Sequence, residues 1–308
     1  MKFASIRPIT ILISKELLIA ALLLLGVSFV VFIVLYLSPG NPFQTVQSPG
    51  ESSLSIPTWY GQYVSWLSKV VHGDLGTSIR TGRAVLNEVV RTGINTLYLT
   101  IGSMLVTLLL AVPIALLTAR RGLTPTNWAF TIFTYVISAL PVFWLGYIVI
   151  YISIHQFDLF PMAFGSAGGQ WNWIYFMLPV LVLGFGNGTV SEVVRFMREE
   201  IGRVLDEDYI CTARAKGASI WKHAFKEGLL IPITEIIAAK IPFILGGAVV
   251  VEQVFNWPGM GRMAWQAAQD RDYPLIMGIT LMAAIFVRMG SLLQRVVHII
   301  VNPRASQE

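Results

Sequence analysis

The chain has 308 residues, of which 55% are apolar and 13% charged, and its mean hydropathy is +0.67. This composition excludes a soluble domain of that size and predicts an integral membrane protein. The net charge of +5 does not indicate nucleic-acid binding, because the cations concentrate in the loops of one side, as the positive-inside rule describes. The lone cysteine excludes an intramolecular disulfide, and the four scattered histidines lack the spacing of a metal site.

Six apolar stretches are long enough to cross a bilayer as helices. The first, at 17–37, is read as an uncleaved helix, because no small-residue cleavage site follows it. The others lie at about 94–119, 128–154, 231–255 and 275–301, together with one that begins at about Trp171 and meets the glycine run Gly184–Gly188, and Pro141 falls near the middle of the third. We predict an all-α membrane protein with six spans and both termini in the cytoplasm, since this topology leaves more Lys and Arg inside than outside.

The polar region after the first helix is expected to lie on the outer side of the membrane. Between Trp59 and Val70, aromatic and aliphatic residues recur at helical spacing, which favours a segment along the membrane interface. We therefore divide the single transmembrane domain of residues 1–308 into 1–91, the first helix with a long outer loop, and 92–301, a core of five helices.

Motifs for nucleotide binding or hydrolysis are absent from the sequence. The glycines of Gly184–Gly188 lack dinucleotide-binding spacing and follow no βαβ pattern, so we predict close helix packing there. No phosphate-binding loop of the form Gly-x-x-x-x-Gly-Lys-Ser/Thr is present, so ATP must be bound elsewhere. An intramembrane enzyme is a further hypothesis, but the sequence contains neither a nucleophile elbow nor a His-Glu-x-x-His helix to support it.

One stretch, Ser191–Glu227, carries seven Lys/Arg and seven Asp/Glu between apolar runs, and we predict that it is the large cytoplasmic loop. Asp206 is expected to cap a short helix that Gly217 ends in the left-handed conformation. Ser219 is expected to cap a second helix that runs toward Pro232. Small and anchoring side chains on the short helix would suit a groove on a partner: Tyr209, Thr212, Ala213, Arg214 and Ala215.

The helix at 231–255 is the least lipid-like of the six, because it carries Glu235, Lys240 and Glu252. Ionisable residues at membrane depth cost about 2.5–3.5 kcal/mol each and usually face protein or a water-filled path. This helix is therefore predicted to line a translocation path. The pair Gly246 and Gly247 offers either close packing or a hinge.

Arg288 falls near the middle of the last apolar helix, where it is not expected to face lipid. Two interpretations stay open. Arg288 binds a substrate carboxylate, or it forms a buried pair with Glu252, with Glu235 or with a partner chain.

Several motifs follow one another along the chain: LSPGNP at 37–42, GDLGTS at 73–78, LPVFWLG at 140–146, DYICTARAKG at 208–217, GGAVVVE at 246–252, FNWPGMGR at 255–262, RDYP at 271–274 and NPR at 302–304. Together they resemble the permease subunit of the peptide/nickel class of binding-protein-dependent ABC importers, in particular the B-type permease of dipeptide and oligopeptide systems. The resemblance covers nearly the whole chain. It departs at Cys211, where such permeases often carry a basic residue, and in the short span from Gly217 to Pro232.

The resemblance implies a type I ABC importer permease fold, in which 191–227 is the cytoplasmic EAA loop and its short helix enters a cleft on an ATPase subunit. The residues carried over for coupling are Asp208, Tyr209, Thr212, Ala213, Arg214, Ala215, Lys216 and Gly217. It also implies two cytosolic ATPase subunits that use ATP and Mg²⁺, a second homologous permease and an extracytoplasmic binding protein. The chain itself would be no enzyme and would bind no cofactor, metal or nucleic acid.

We assign two further groups of residues. The translocation path is predicted to include Glu235, Lys240, Gly246, Gly247, Glu252 and Arg288. The side that faces the binding protein is predicted to include Asp74, Trp257, Pro258, Gly259, Asp272 and Tyr273. The expected location is the inner membrane of a bacterium or archaeon, in contact with lipid, and the substrate stays open among peptides, metal chelates and oligosaccharides.

A second hypothesis of a different class is a stand-alone secondary transporter, driven by protons or sodium through the charges of the last two helices. Such transporters often contain two inverted repeats, and none is apparent in this sequence. A secondary transporter would also have no evident function for the charged loop at 191–227.

Overall fold

The computed structural model describes residues 6–38, 58–119, 124–157, 173–186, 188–219 and 226–301. Within them the backbone is helical apart from turns and one isolated bridge between Thr77 and Ala84. The helices are α1 (Ile6–Tyr36), α2 (Trp59–Val71), α3 (Val85–Ala119), α4 (Pro125–Ala139), α5 (Val142–Phe157), α6 (Trp173–Phe185), α7 (Thr189–Leu205), α8 (Asp208–Ala215), α9 (Ile231–Val254), α10 (Met260–Gln269) and α11 (Tyr273–Val301). A π-helical turn, Lys226–Leu230, precedes α9.

The chain forms two compact units, of which the first comprises Met1–Asn95 and Arg262–Met289. Its core contains Phe32 of α1 and Met277 of α11, both at most 2% exposed, with the rings of Tyr63 and Trp66 from α2 packed against them. Tyr63 also hydrogen-bonds to the hydroxyl of Ser28 at 2.9 Å. Apolar and aromatic contacts therefore hold α2 against α1. The helix agrees with the spacing after Trp59, and its place along the membrane interface stays a prediction.

The second unit comprises Thr96–Gly261 and Gly290–Glu308. Helix α9 packs against α5, α6 and α7, and α7 also packs against α4. Although the sequence of α7 is charged, eight of its residues are buried, and they recur with helical period: Thr189, Val190, Ser191, Val193, Val194, Met197, Ile201 and Val204. The first part of the predicted cytoplasmic loop is thus an amphipathic helix that belongs to the core of this unit.

Helix α3 begins at Val85, nine residues before the predicted start at 94. The added turns are amphipathic, so they contain no apolar run that would indicate a membrane helix. Val85 and Val89 are fully buried, whereas Glu88 pairs with Arg83 and with Arg91 on the exposed side. Buried apolar side chains on one face and ion pairs on the other stabilise this helical extension, although it is not lipid-like.

The predicted helix at 128–154 is broken, not merely kinked, at Pro141. Helices α4 and α5 meet at an angle of 100°, and Leu140 has the extended conformation (φ −78°, ψ 131°). A residue before proline disfavours the α conformation, and proline lacks the N–H that the helix ladder needs. The break in the predicted helix is therefore caused locally, by Pro141 and its effect on Leu140.

The glycine-rich run provides close packing, as predicted. A Cβ atom on Gly184 would lie 2.9 Å from the carbonyl oxygen of Ser103, and the hydroxyl of Thr107 donates to the carbonyl of Gly184 at 2.8 Å. A Cβ on Gly186 would lie 2.7 Å from the side chain of Val142. Gly188 has a φ of +72° and precedes α7, so it separates α6 from α7.

Among the residues that the structure describes, three helices are long and apolar enough to cross a membrane: Ser14–Tyr36, Val85–Ala119 and Tyr273–Leu293. The pairs α4–α5 and α6–α7 raise the number to five if each is one span. Only 11% of the span in α1 is buried within the chain, so most of its apolar surface is available to lipid. The all-helical membrane architecture is confirmed for the described residues, and the count of six spans stays a prediction.

A substitution of Gly184 tests the close packing. We expect Gly184→Ala to lower the free energy of unfolding by about 1–3 kcal/mol relative to Gly202→Ala, because its methyl group would overlap the backbone at Ser103. Both glycines are helical, so the gain in helix propensity cancels, and a Cβ on Gly202 meets nothing within 4 Å. Thermal unfolding in detergent measures the difference, and equal stabilities would contradict the packing.

Candidate functional site

Helix α8 is held on α7 by its apolar side. Ile210 is fully buried against Val204 of α7, and Ala213 is 5% exposed. The remaining side chains of the helix and its C-terminal cap are exposed: Asp208, Tyr209, Cys211, Thr212, Arg214, Ala215 and Lys216. Of the residues predicted to contact a partner, Ala213 thus faces the interior and anchors the helix, while the others are accessible.

The end of α8 has the geometry that the sequence predicts. Gly217 has a φ of +68°. The N–H of Ala218 donates to the carbonyl of Ala213 at 2.9 Å, and that of Gly217 to Arg214 at 3.1 Å. These two bonds form a Schellman motif, which directs the chain away from the exposed face of α8.

The predicted cap at the start of α8 was wrong by one residue. Glu207 occupies the N-cap position without a side-chain hydrogen bond, and Asp206 instead ends α7. The second helix predicted after Ser219 falls largely on 220–225, outside the described residues.

The predicted path residues of α9 are only partly described. The backbone is helical throughout, so Lys240, Gly246 and Gly247 lie on α9 as expected, but the side chains of 238–247 fall outside the described part of the chain. Glu235 is half-buried near the start of the helix. Glu252, near its other end, is fully buried.

Glu252 lies in a polar site with very little space around it. The hydroxyl of Thr96 in α3 donates to its Oε1 at 2.6 Å and accepts a hydrogen bond from the N–H of Met260 at 2.8 Å. A Cβ on Gly259 would lie 2.1 Å from Oε1, and a Cβ on Gly261 would lie 3.0 Å from Oε2. Only glycine at these two positions lets the turn after α9 close over the carboxylate.

Most of the residues assigned to the outer side are buried. Trp257 and Asp272 are each 1% exposed and Tyr273 is 4% exposed, while Gly259 packs on Glu252. Asp74 is exposed and Pro258 is half-buried. Asp74 and Pro258 are therefore accessible to another protein. The other four residues lie beneath the surface.

Asp272 fixes the start of α11. Its Oδ2 accepts from the hydroxyl of Ser78 at 2.5 Å and from the N–H of Arg80 at 3.3 Å. Its Oδ1 accepts from the N–H of Leu275 at 3.3 Å, which is the bond of a helix N-cap. The side chain of Arg80 pairs with Asp270 at 2.9 Å, so two carboxylates hold the turn at 78–80 against the α10–α11 connection.

Arg288 pairs with Glu16 of α1, which none of the predicted partners anticipates. The distance from its Nη2 to Oε2 of Glu16 is 3.0 Å, and Glu16 is 2% exposed. Glu16 lies within α1 (Ile6–Tyr36), and Arg288 lies near the middle of α11 (Tyr273–Val301), as the sequence predicts. The pair therefore joins α1 to the middle of α11.

Three residues of these contacts were not singled out by the sequence: Thr96, Ser78 and Glu16. Glu16 did carry a signal, because a carboxylate at the edge of an apolar run needs a partner. Hydroxyl residues such as Thr96 and Ser78 carry none, since their side chains often bond to the backbone of their own helix or turn.

Comparison with known proteins gives a consistent result. Residues 111–307 match the family model described as binding-protein-dependent transport system inner membrane component. The oligopeptide transport system permease protein AppB of Bacillus subtilis (strain 168) is 33% identical over 302 residues, 92% of this chain and 95% of that protein. The glutathione transport system permease protein GsiC of Escherichia coli (strain K12) is 32% identical over 291 residues, 90% and 92% of the two chains.

The Thr96 hydroxyl is expected to contribute to stability. Thr96→Val leaves the buried Glu252 carboxylate and the Met260 N–H short of one partner, which costs about 1–3 kcal/mol, whereas Thr96→Ser keeps the hydroxyl. Thr118→Val is the control, because Thr118 lies on the same helix and bonds only to carbonyls of that helix. Thermal unfolding of the purified chain measures the three variants, and equal losses for Thr96→Val and Thr118→Val would contradict the network.

The Arg288 pair is tested by a double-mutant cycle. Arg288→Met takes the cation away from a buried carboxylate and should cost about 3–5 kcal/mol, and adding Glu16→Gln should recover much of that loss. The exposed pair of Arg91 with Glu88 supplies the control, since Arg91→Met should cost at most about 1 kcal/mol. Lost transport in Arg288→Met at unchanged stability would instead assign Arg288 to substrate binding.

Proposed function

Because the chain belongs to the family of inner membrane components of binding-protein-dependent transport systems, and is therefore a permease subunit of an ABC importer, we propose that α8 is the helix through which cytosolic ATPase subunits drive it. The permease spans the inner membrane several times. It does not hydrolyse ATP in this proposal, since ATP and Mg²⁺ are bound by the ATPase subunits.

The observation that carries the proposal is the two-sided construction of α8. Ile210 and Ala213 anchor one side in the core, and the other side exposes Tyr209 and Arg214. Arg and Tyr are among the residues that dominate binding energy at protein interfaces. A short helix fixed from within and exposed outside is suited to receive a push from a partner without unfolding.

The push would reach the membrane through packed helices. Helix α8 contacts α7, and α7 contacts both the π-helical turn and α9. A Cβ on Gly228 of that turn would lie 3.5 Å from Val204, the residue that also packs on Ile210. Because packed helices move as stiff bodies between discrete arrangements, displacement of α8 shifts the start of α9 and exchanges an inward-open for an outward-open path.

The translocation path runs along α9 and is completed by a second, homologous permease. Glu235, Lys240 and Glu252 are the ionisable residues of α9, while Gly246 and Gly247 supply the close approach or hinge. In this arrangement the chain has six spans with both termini in the cytoplasm. An extracytoplasmic binding protein delivers the solute on the side that carries Asp74 and Pro258.

The substrate class follows from the relatives. AppB is named for oligopeptide transport and GsiC for glutathione transport, and both solutes contain peptide bonds. We therefore assign peptides or related small solutes to this importer, in a bacterial or archaeal inner membrane. The ion-coupled secondary transporter is no longer needed, because the family supplies an ATP-driven source of energy.

Charge reversal on α8 tests the coupling. Tagged chain purified from native membranes should recover two ATP-binding subunits and a second permease. Arg214→Glu should reduce the recovered ATP-binding subunit, and ATPase stimulation by the binding protein, about tenfold or more, since loss of a hot-spot Arg costs at least about 2 kcal/mol.

The matched control is Arg203→Glu. Arg203 is exposed near the end of α7 and pairs with Glu200, so the variant makes the same change of charge close to α8 but outside it. Wild-type recovery and stimulation are expected for Arg203→Glu. Equal losses in both variants, or none in Arg214→Glu, would remove α8 from the proposed contact.

A further inference from the structure

A cavity of about 550 Å³ lies in the first unit, between α2, the turn at 74–79 and the start of α11. Its volume falls within the range of about 300–1,000 Å³ typical of small-molecule sites. The residues that give it chemical character are Trp66, Lys69, Asp74, Ile79, Tyr273 and Met277. None of them takes part in the coupling or the path proposed above, and Asp74 also lies on the side proposed to face the binding protein.

Two hydrogen-bonding groups of the cavity wall have no partner among the described residues. One is the hydroxyl of Tyr273, whose side chain is only 4% exposed, and the other is the indole N–H of Trp66. Trp66 is held in place by stacking on Tyr63, with ring centroids 6.0 Å apart. Since buried polar groups in native proteins nearly always find a partner, these groups indicate an occupant that offers hydrogen-bond acceptors.

One cation, Lys69, and one anion, Asp74, line the same cavity, and their backbones are in contact. The N–H of Asp74 donates to the carbonyl of Lys69 at 2.9 Å, and the Asp74 carboxylate is oriented by a hydrogen bond from the N–H of Gly76 at 2.8 Å. Both side chains are exposed, and neither forms an ion pair within the part of the chain that the structure describes. Adjacent opposite charges match a ligand that itself carries an anion and a cation.

The cavity lies at the level of a membrane surface. The span in α1 ends at Tyr36 and the span in α11 begins at Tyr273, and α2, which forms another wall, starts with the exposed rings of Trp59 and Tyr60. Tyr and Trp concentrate at the boundary between headgroups and acyl chains, where Lys extends toward the headgroups. Apolar side chains such as Met277 and Ile79 complete a wall suited to the upper part of an acyl chain.

We propose that this cavity binds a zwitterionic phospholipid, with a phosphate and an ammonium group in its headgroup. Lys69 contacts the phosphate and Asp74 contacts the ammonium. The Tyr273 hydroxyl and the Trp66 N–H donate to ester or phosphate oxygens. The inference requires only the placement of the spans in a membrane and does not rest on the proposed coupling.

Thermal unfolding of the full chain, purified with its bound subunits and stripped of lipid in detergent, tests the site. Dioleoyl-phosphatidylethanolamine should raise the unfolding temperature in a saturable manner, because a ligand that binds the folded state stabilises it. Tyr273→Phe removes an unpaired buried hydroxyl and should be at least as stable as wild type without lipid, yet its apparent affinity for the lipid should fall about fivefold or more. Lys69→Gln should show the same loss.

Tyr60→Phe is the matched control, since Tyr60 is exposed on α2 and does not line the cavity, and its affinity should equal that of wild type. Equal affinity for dioleoyl-phosphatidylglycerol would overturn the zwitterionic match. Full competition by soluble glycerophosphoethanolamine would assign the site to a free phosphoester, and competition by trialanine would assign it to a peptide. Each of these results would refute the proposed site for a zwitterionic lipid without affecting the α8 experiment.

Discussion

A carboxylate with no exposed surface is the constraint on which the end of α9 depends. Glu252 needs hydrogen-bond donors in the interior, because an unpaired buried charge is very costly. Thr96 supplies one, and the same hydroxyl accepts from Met260, so one side chain joins α3, α9 and the turn that follows α9. Gly259 and Gly261 have no side chains, which leaves room for the Glu252 carboxylate beside this turn.

The two ends of α9 are therefore held in different ways. Near Glu252 the helix is fixed by polar contacts that allow little movement. Near Glu235 the helix packs against α7 and the π-helical turn, and Ile233 and Ile237 lie against the apolar core. Glu235 and Glu252 are separated by about 26 Å at 1.5 Å per residue, so in the proposed coupling a shift of α8 would act on the end of α9 that is far from the Glu252 contacts. This asymmetry gives the proposed coupling a fixed point.

Local features of the structure were predictable from the sequence, and long-range ones were not. The apolar runs located the helices, and Gly217 ended α8 as its lack of a side chain predicts. One continuous helix was predicted at 128–154, although Pro141 was noted near its middle, and the 100° break there was not predicted. Asp272 was expected at a surface and is buried, since its partner Ser78 lies 194 residues away in the chain. Partners at such distances follow from the fold, which no single motif encodes.

The pair of Glu16 with Arg288 has a consequence for the synthesis of the protein. The two residues are 272 positions apart, so α1 is made and inserted long before its cation exists. During that interval a span with a carboxylate at its edge lacks its ionic partner, and chains truncated before α11 never acquire it. The ion pair therefore distinguishes a complete copy of the chain from one that ends before α11.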